Sequence, residues 1–221
     1  MARPAQVVVV PAILTDDPAA LETMLRQAET FTDWVQLDIM DGRFVPSRSI
    51  GHQHLAKLSL KLRWEAHLMV EHPEDQMAGF KAAGAERVVF HYEATPSPDE
   101  VIARARGLGL AVGLAVNPET PVAAVLPLAD AVDSVLFLSV HPGYYGRDFI
   151  PEVLDKVTEF RRLRPDVEIG IDGGIKEGNI ARIARTGVDA ICVGSAVFAQ
   201  PDPGQSYRHL TAVAREAVKT V

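Results

Sequence analysis

The chain has 221 residues, 48% of them hydrophobic and 23% charged, with a formal net charge of −7 at pH 7. This composition is that of a globular protein with one large domain or two small ones, and the charge argues against a general binder of nucleic acid or anionic membranes. No apolar run reaches the roughly 20 residues of a membrane span. The single cysteine, Cys192, excludes an internal disulfide framework and suits a reducing cytosol, so we expect a cytoplasmic protein.

Strand-like apolar runs alternate with helical patterns along the whole chain. The predicted strands are 7–14, 34–40, 63–70, 87–92, 111–116, 134–140, 167–171 and 190–193. The predicted helices are 18–31, 51–60, 73–83, 98–108, 121–126, 151–163, 177–185 and 203–218. This alternation requires parallel strands with right-handed crossovers, and eight units in this length predict one α/β domain, a (β/α)₈ barrel over residues 1–221. The alternative is a doubly wound open sheet, which would more often carry a G-x-G-x-x-G turn after its first strand, and none is present there.

The second predicted strand, 34–40, contains an aspartate where a buried strand should be apolar. Burying Asp38 costs several kcal/mol, as an order of magnitude, unless a cation or hydrogen bonds compensate its charge. A structural aspartate and a catalytic one fit this stretch equally well. Nearly all the other predicted strands also end in polar residues, which favours a shared site at the carboxyl-end rim of the barrel. The polar residues include Gln36, His67, His91, Glu93, Asn117, Ser139, His141, Asp172 and Ser195.

Glycine-bearing turns follow the last three predicted strands. They contain Gly143 and Gly146, then Gly173 and Gly174, then Gly194 and Ser195. In barrels of this kind the final loops often bind phosphate through backbone N–H groups and a short helix start, and glycine lets the backbone approach the anion. Tight turns alone are the other interpretation. Because a P-loop signature is absent, we expect a phosphorylated metabolite rather than a nucleotide.

Two of the acids come from predicted strands on opposite sides of the barrel. A substrate lying across the mouth would have Asp38 on one face and Asp172 on the other. That arrangement suits removal of a proton from one face of a carbon and its return to the other.

At these residues the sequence resembles the ribulose-phosphate 3-epimerase family over nearly its whole length. The resemblance is carried by Leu37-Asp-Ile-Met-Asp-Gly-Arg-Phe-Val-Pro46, His67-Leu-Met-Val70, Ala82-Ala-Gly-Ala85, Asn117-Pro118, Ser139-Val-His-Pro-Gly143, Ile171-Asp-Gly-Gly-Ile175 and Val193-Gly-Ser-Ala-Val-Phe198. Together these motifs are highly specific. The resemblance implies a barrel of the ribulose-phosphate-binding type and a role in the pentose phosphate pathway.

The reaction implied by the resemblance interconverts D-ribulose 5-phosphate and D-xylulose 5-phosphate. Asp38 and Asp172 would be the proton carriers. A divalent metal ion, with zinc as the favoured metal, would stabilise the enediolate between them. The implied metal ligands are Asp38, His67 and Asp172, with Gln36 doubtful. The implied substrate-binding positions are Ala12, Met40, Met69, Leu138, His141 and the turns Gly143, Gly146, Gly173, Gly174, Gly194 and Ser195.

Several of these positions depart from the family pattern. Gln36 stands where the family has a metal-binding histidine, and an amide oxygen is a poorer zinc ligand than an imidazole. Ala12 replaces a serine, Leu138 a methionine and His141 an asparagine. In the loop that follows, Tyr145 and Arg147 replace smaller or neutral residues.

These departures leave two alternatives to the pentose-phosphate reaction. One is a relative that binds a phosphosugar without epimerising it, or performs an aldol-type step on it. The other is an epimerase for another ketose phosphate, such as a hexulose 6-phosphate. In every case we expect a small sugar phosphate as the partner, no nucleic acid, no membrane and assembly into a homo-oligomer.

Overall fold

Eight parallel strands close into a barrel in the computed structural model, which describes residues 6–143 and 146–219. Each strand pairs with the next, and the last pairs with the first. The predicted (β/α)₈ barrel is therefore confirmed. The strands are β1 (Val8–Ile13), β2 (Trp34–Met40), β3 (Arg63–Met69), β4 (Arg87–His91), β5 (Ala111–Val116), β6 (Ser134–Leu138), β7 (Glu168–Asp172) and β8 (Ala190–Val193).

Helices follow the strands in the expected alternation. They are α1 (Pro18–Ala28), α2 (His52–Leu55), α3 (Pro73–Ala82), α4 (Pro98–Gly107), α5 (Val122–Val125), α6 (Val153–Leu163), α7 (Glu177–Ala184), α8 (Ser195–Phe198) and α9 (Pro203–Lys219), with short 3₁₀ turns at Tyr92–Ala94 and Leu126–Leu128. Within the described ranges, none of these helices has the length and apolar character needed to cross a membrane.

The largest error in the predicted elements concerns α2, which was expected over 51–60 and ends at Leu55. Turn hydrogen bonds continue to Leu58, and beyond it the chain is held by contacts with the end of α1. Arg26 Nη1 donates to the carbonyl of Ser59 at 3.0 Å, and the N–H of Lys61 donates to Glu29 Oε1 at 2.9 Å. These contacts between distant segments have no signature in the local sequence.

Alternation along each strand divides the core into two parts. Val35, Leu37 and Ile39 of β2 face the surrounding helices and are at most 2% exposed, in the large cluster that joins barrel and helices. A second cluster fills the inside of the barrel and consists of Val10, Ala12, Val89, Ala115, Leu136, Leu138, Ala190 and Cys192. Because the side-chain period of a strand is two, the polar residues of β2 and β3 share the inward face with this second cluster.

A buried ion triad lies inside the barrel below that cluster. Arg87 Nε donates to Glu65 Oε2 at 2.5 Å, and Arg87 Nη1 donates to Glu168 Oε1 at 2.8 Å. The Arg87 guanidinium also lies 5.4 Å from the centre of the Trp34 ring. Because all three charged side chains are at most 10% exposed, each carboxylate depends on the single arginine for its compensation.

The triad makes a prediction about stability. Arg87→Met leaves two buried carboxylates without their cation, so the free energy of unfolding should fall by about 3–5 kcal/mol. The matched control is Arg63→Met, because Arg63 also contacts the Trp34 ring, at 5.1 Å, and pairs with Glu86 at 2.7 Å on an exposed surface. That loss should stay within about 1 kcal/mol. Unfolding in guanidinium chloride measures the free energy of unfolding of both variants. Equal losses would contradict the stabilising role assigned to Arg87 in the buried triad.

Candidate active site

Three of the predicted site residues meet at the carboxyl-end mouth of the barrel. Asp38 of β2 pairs in register with His67 of β3, and Asp172 is the last residue of β7. Strands β8 and β1 stand between β7 and β2, so the two acids are three strands apart and one short of diametrically opposite. The inward period of the strands turns both carboxylates toward the barrel centre, where each residue is at most 9% exposed.

The amide of Gln36 joins the two carboxylates from below. Its Nε2 atom donates to Asp38 Oδ1 at 3.0 Å and to Asp172 Oδ2 at 2.7 Å. Its Oε1 atom accepts a hydrogen bond from the Cys192 thiol at 3.2 Å, which sets the direction of the amide. Gln36 is fully buried, so both hydrogens of its NH₂ group serve the acids.

His67 is the second partner of the acids. Its Nδ1 atom lies 2.9 Å from Asp38 Oδ1 and 3.5 Å from Asp172 Oδ2. Burial lowers the pKa of His67, but the hydrogen bonds and charges of Asp172 and Asp38 outweigh it and raise that pKa to about 9. Burial and the charge of Asp172 raise the pKa of Asp38 to about 6, although His67 and Gln36 act in the opposite direction. Asp38 is therefore ionised at pH 7 and is a stronger base than an ordinary aspartate.

One cavity at the mouth collects most of the predicted substrate positions together with Asp38, His67 and Asp172. Its lining includes Ala12, Met40, Met69, Leu138, Gly143, Gly146, Gly173, Gly174, Gly194 and Ser195. Arg147 and Lys176 also line it, which gives the pocket of an acidic protein a local positive charge. Lys176 was not among the residues predicted from the sequence.

Two predicted positions lie elsewhere. Gln36 is beneath the cavity floor and outside its lining. The His141 side chain is 67% exposed, its Nδ1 atom lies 3.0 Å from Glu119 Oε1, and it is likewise absent from the lining. Tyr145 falls outside the described residues. The assignment of His141 to substrate binding stays a prediction, and its outward direction offers it no support.

The turn after β7 requires glycine for steric reasons. Gly174 has φ +66°, and a Cβ atom there would lie 2.7 Å from the backbone nitrogen of Phe149. The Ser139 hydroxyl donates to the carbonyls of Asp172 and Gly173, at 2.9 and 2.7 Å, and Asn179 Nδ2 donates to the carbonyl of Gly174 at 3.0 Å. These bonds hold the turn with its backbone facing the cavity, where a bulkier residue has no room.

The donor set at the mouth fits a divalent metal ion. One carboxylate oxygen each from Asp38 and Asp172 and one ring nitrogen of His67 lie within 4.8 Å of one another. Three such ligands with an open fourth position are the usual pattern of a catalytic zinc site. Gln36 presents its NH₂ group to this point, so its amide is a donor to the acids and not a fourth ligand in this orientation.

Three residues at the site were not predicted as site residues from the sequence. His91 contacts His67, with 3.0 Å between their Nε2 atoms, and Glu93 lies behind His91. His91 lies near the end of the fourth predicted strand, 87–92, and Glu93 follows that strand directly, which was the signal available. Cys192 is 2% exposed, and burial raises the pKa of its thiol well above the usual range. Its hydrogen bond to Gln36 adds an orienting role.

Fold and site together define a (β/α)₈-barrel enzyme with a paired-carboxylate site at the strand ends. The model of the ribulose-phosphate 3 epimerase family matches residues 8–198. Ribulose-phosphate 3-epimerase of Schizosaccharomyces pombe is 36% identical over 206 residues, 90% of each chain, and that of Escherichia coli K12 is 37% identical over 205 residues, 89% of this chain and 91% of the relative. The chain belongs to the ribulose-phosphate 3-epimerase family and is an isomerase of the epimerase class.

Solved structures agree on the fold. 3-Hexulose-6-phosphate synthase from Salmonella typhimurium superposes with a TM-score of 0.74 over 96% of this chain and 100% of that one, at 17% identity. Thiamine phosphate pyrophosphorylase from Pyrococcus furiosus gives 0.66 over 96% and 97%, at 16% identity. At these identities the likeness concerns the barrel alone.

Proposed function

We propose that this protein interconverts D-ribulose 5-phosphate and D-xylulose 5-phosphate. One of the residues Asp38 and Asp172 removes the C3 proton of the substrate, and the other returns a proton to that carbon. The observation that carries the proposal is the convergence of these two carboxylates at one cavity, held by Gln36 and His67. Relatives named ribulose-phosphate 3-epimerase, at 36–37% identity over about nine tenths of the chain, support the substrate. A place in the pentose phosphate pathway follows from that reaction.

Epimerisation needs a base on one face of the C3 carbon and an acid on the other. One carboxylate removes the C3 proton, an enediolate forms, and the carboxylic acid on the opposite face returns a proton. The pKa of Asp38, raised to about 6 by burial and by Asp172, supports both halves of the exchange near neutral pH. Met40, Met69 and Leu138 line the cavity and keep it apolar around the reacting carbon.

We assign a divalent metal ion to Asp38, His67 and Asp172, with zinc as the favoured metal. Such an ion supplies positive charge beside the oxygens on which negative charge develops. The chain's own part is to hold the three ligands in register and to keep the amide of Gln36 turned by the Cys192 thiol.

The phosphate of the substrate is assigned to the turns after β6, β7 and β8. Gly174, Gly194 and Ser195 line the same cavity as the acids, and Arg147 and Lys176 add cationic charge there. Backbone N–H groups at such turns bind phosphate in other barrels.

We place the enzyme in the cytoplasm, which is supported by the rice (Oryza sativa subsp. japonica) relative named a cytoplasmic isoform, 35% identical over 212 residues and 93% of each chain. Assembly into a homo-oligomer stays a prediction.

Asp38→Asn and Asp172→Asn should each lower turnover by at least about 10²-fold, because each removes one of the two proton carriers. In D₂O each variant should retain slow deuterium exchange into one epimer only, and the two variants should favour opposite epimers. A coupled xylulose 5-phosphate assay and NMR of the C3 proton measure these effects.

The control for the acids is Asp148→Asn, the same chemical change at an exposed position outside the cavity lining. It should keep wild-type turnover. Near wild-type turnover in either active-site variant would remove the two-acid mechanism.

Gly174→Ala should weaken phosphate binding and raise KM by about tenfold or more. The new Cβ atom meets the Phe149 backbone at 2.7 Å, so the turn must move away from the position in which its backbone lines the cavity, and a charged hydrogen bond is worth about 1.5–3 kcal/mol. Calorimetry with inorganic phosphate measures the binding directly.

Gly178→Ala is the matched control, because nothing lies within 4 Å of a Cβ atom there. Equal phosphate affinities for the two alanine variants would contradict the assignment of the phosphate to this turn.

Gln36→His should tighten zinc binding by roughly 10–100-fold, since an imidazole lone pair replaces an amide N–H group at the metal position. Competition with a chromogenic chelator gives the dissociation constant, and elemental analysis gives the metal content. The turnover should rise with zinc occupancy.

The control combines Gln36→His with His67→Asn, which restores one imidazole and two carboxylates and should bind zinc about as tightly as the wild type. If the wild type takes up no ion in excess zinc, and Gln36→His restores neither binding nor activity, the metal site and the epimerase assignment both lose their support.

A further inference from the structure

A pair of fully buried histidines extends from the carboxylates into the barrel wall. His67 Nε2 and His91 Nε2 lie 3.0 Å apart, and both side chains are 0% exposed. The rings are inclined by only 19° with centroids 5.1 Å apart, which is too far for face-to-face contact and matches two rings that meet edge to edge. At 3.0 Å, one proton lies between the two nitrogens, so one ring donates and the other accepts.

The far side of His91 faces a hydrogen-bond acceptor. His91 Nδ1 lies 3.4 Å from Glu93 Oε2 and has no closer partner among the residues that the structure describes. The other oxygen of Glu93, Oε1, is already bound by the N–H of Asn117 at 2.9 Å and by the hydroxyl of Thr120. Glu93 Oε2 is therefore the oxygen left for His91.

Glu93 is ionised in this setting. Burial raises its pKa, but the hydrogen bonds from His91, Thr120 and Asn117 outweigh it and lower that pKa below the usual range. An ionised carboxylate only accepts hydrogen bonds. The proton of His91 therefore belongs on Nδ1, and its Nε2 atom presents a lone pair to His67.

We propose that Glu93 and His91 are positioning residues that fix the tautomer of His67: Glu93 keeps the His91 proton on Nδ1, His91 Nε2 accepts from His67 Nε2–H, and His67 Nδ1 keeps its lone pair for a divalent ion. His67 Nδ1 is the ring nitrogen that faces the carboxylates, 2.9 Å from Asp38 and 3.5 Å from Asp172. The inference rests on the metal site proposed above.

The opposite arrangement would work against the metal. If His91 carried its proton on Nε2, that N–H would point at His67 Nε2, which would then have to be the acceptor. A neutral His67 would carry its proton on Nδ1, at the very place where the ion needs a lone pair. The partner of the second ring nitrogen thus decides whether the first can be a ligand.

Glu93→Gln tests this with almost no change of shape. The Asn117 N–H and the Thr120 hydroxyl both need an acceptor, so the amide oxygen takes the Oε1 place and the NH₂ group takes the Oε2 place facing His91 Nδ1. The acceptor on His91 becomes a donor. We expect His91 to change from the Nδ1–H to the Nε2–H tautomer, and zinc affinity to fall by roughly 10–100-fold.

Two measurements follow the change. Long-range ¹H–¹⁵N spectra of the metal-free protein, labelled with ¹⁵N-histidine, assigned with His91→Asn and recorded above the His67 pKa of about 9 so that this ring is neutral, report the tautomer of His91. Chelator competition reports the zinc dissociation constant. Thr120→Val is the matched control, because it removes a contact of Glu93 Oε1 and leaves the acceptor on His91; tautomer and zinc affinity should both stay as in the wild type.

An Nε2–H tautomer of His91 in the wild type would overturn the proposal without any variant, and so would a Glu93→Gln protein with unchanged tautomer and unchanged zinc affinity. The proposed metal site fails separately: it falls if the wild type binds no zinc. In that case the His91 tautomer, read in the metal-free protein, still decides whether Glu93 and His91 orient His67.

Discussion

The closed barrel imposes one constraint on everything inside it: a polar side chain that points inward must find its partner there, because water is excluded. Every second residue of a strand faces this interior. At the lower level Arg87 serves Glu65 and Glu168; at the mouth Gln36 and His67 serve Asp38 and Asp172. Both groups follow the same rule, that buried charges persist only when they are paired and hydrogen-bonded.

The two levels satisfy the rule with different chemistry. The lower one uses a full cation between two carboxylates, which makes a fixed structural element. The upper one uses a neutral amide and a titratable imidazole, His67, whose pKa is raised to about 9, and one carboxylate, Asp38, has its pKa raised to about 6. An amide that donates to a carboxylate can give up that carboxylate oxygen to an incoming cation, whereas Arg87 of the triad stays bound to both of its carboxylates. The residues at the mouth are thus suited to proton transfer and ion binding, while those below are suited to stability.

The rim loops depend on each other as much as the strands do. The Ser47 hydroxyl donates to the carbonyl of Gly143 at 2.5 Å, which joins the loop after β2 to the loop after β6. The turn at Gly174 packs against the backbone of Phe149 from that second loop. Steric requirements therefore connect the acid side of the cavity to its glycine turns, so that a substrate held by its phosphate would meet the carboxylates in one orientation.

The sequence by itself determined the strand order, the barrel and the meeting of Asp38, His67 and Asp172, because apolar periodicity is local and parallel strands all end at one rim. It also indicated the pocket lining from Gly143 to Ser195. Only the tertiary structure decided the direction of the Gln36 amide, the exposure of His141 and the contact of His91 with His67. Gln36 and Asp172 are 136 residues apart, and their hydrogen bond exists only once the barrel closes. Periodicity places a side chain on a face of its strand; its partner is set by barrel closure, which no local pattern encodes.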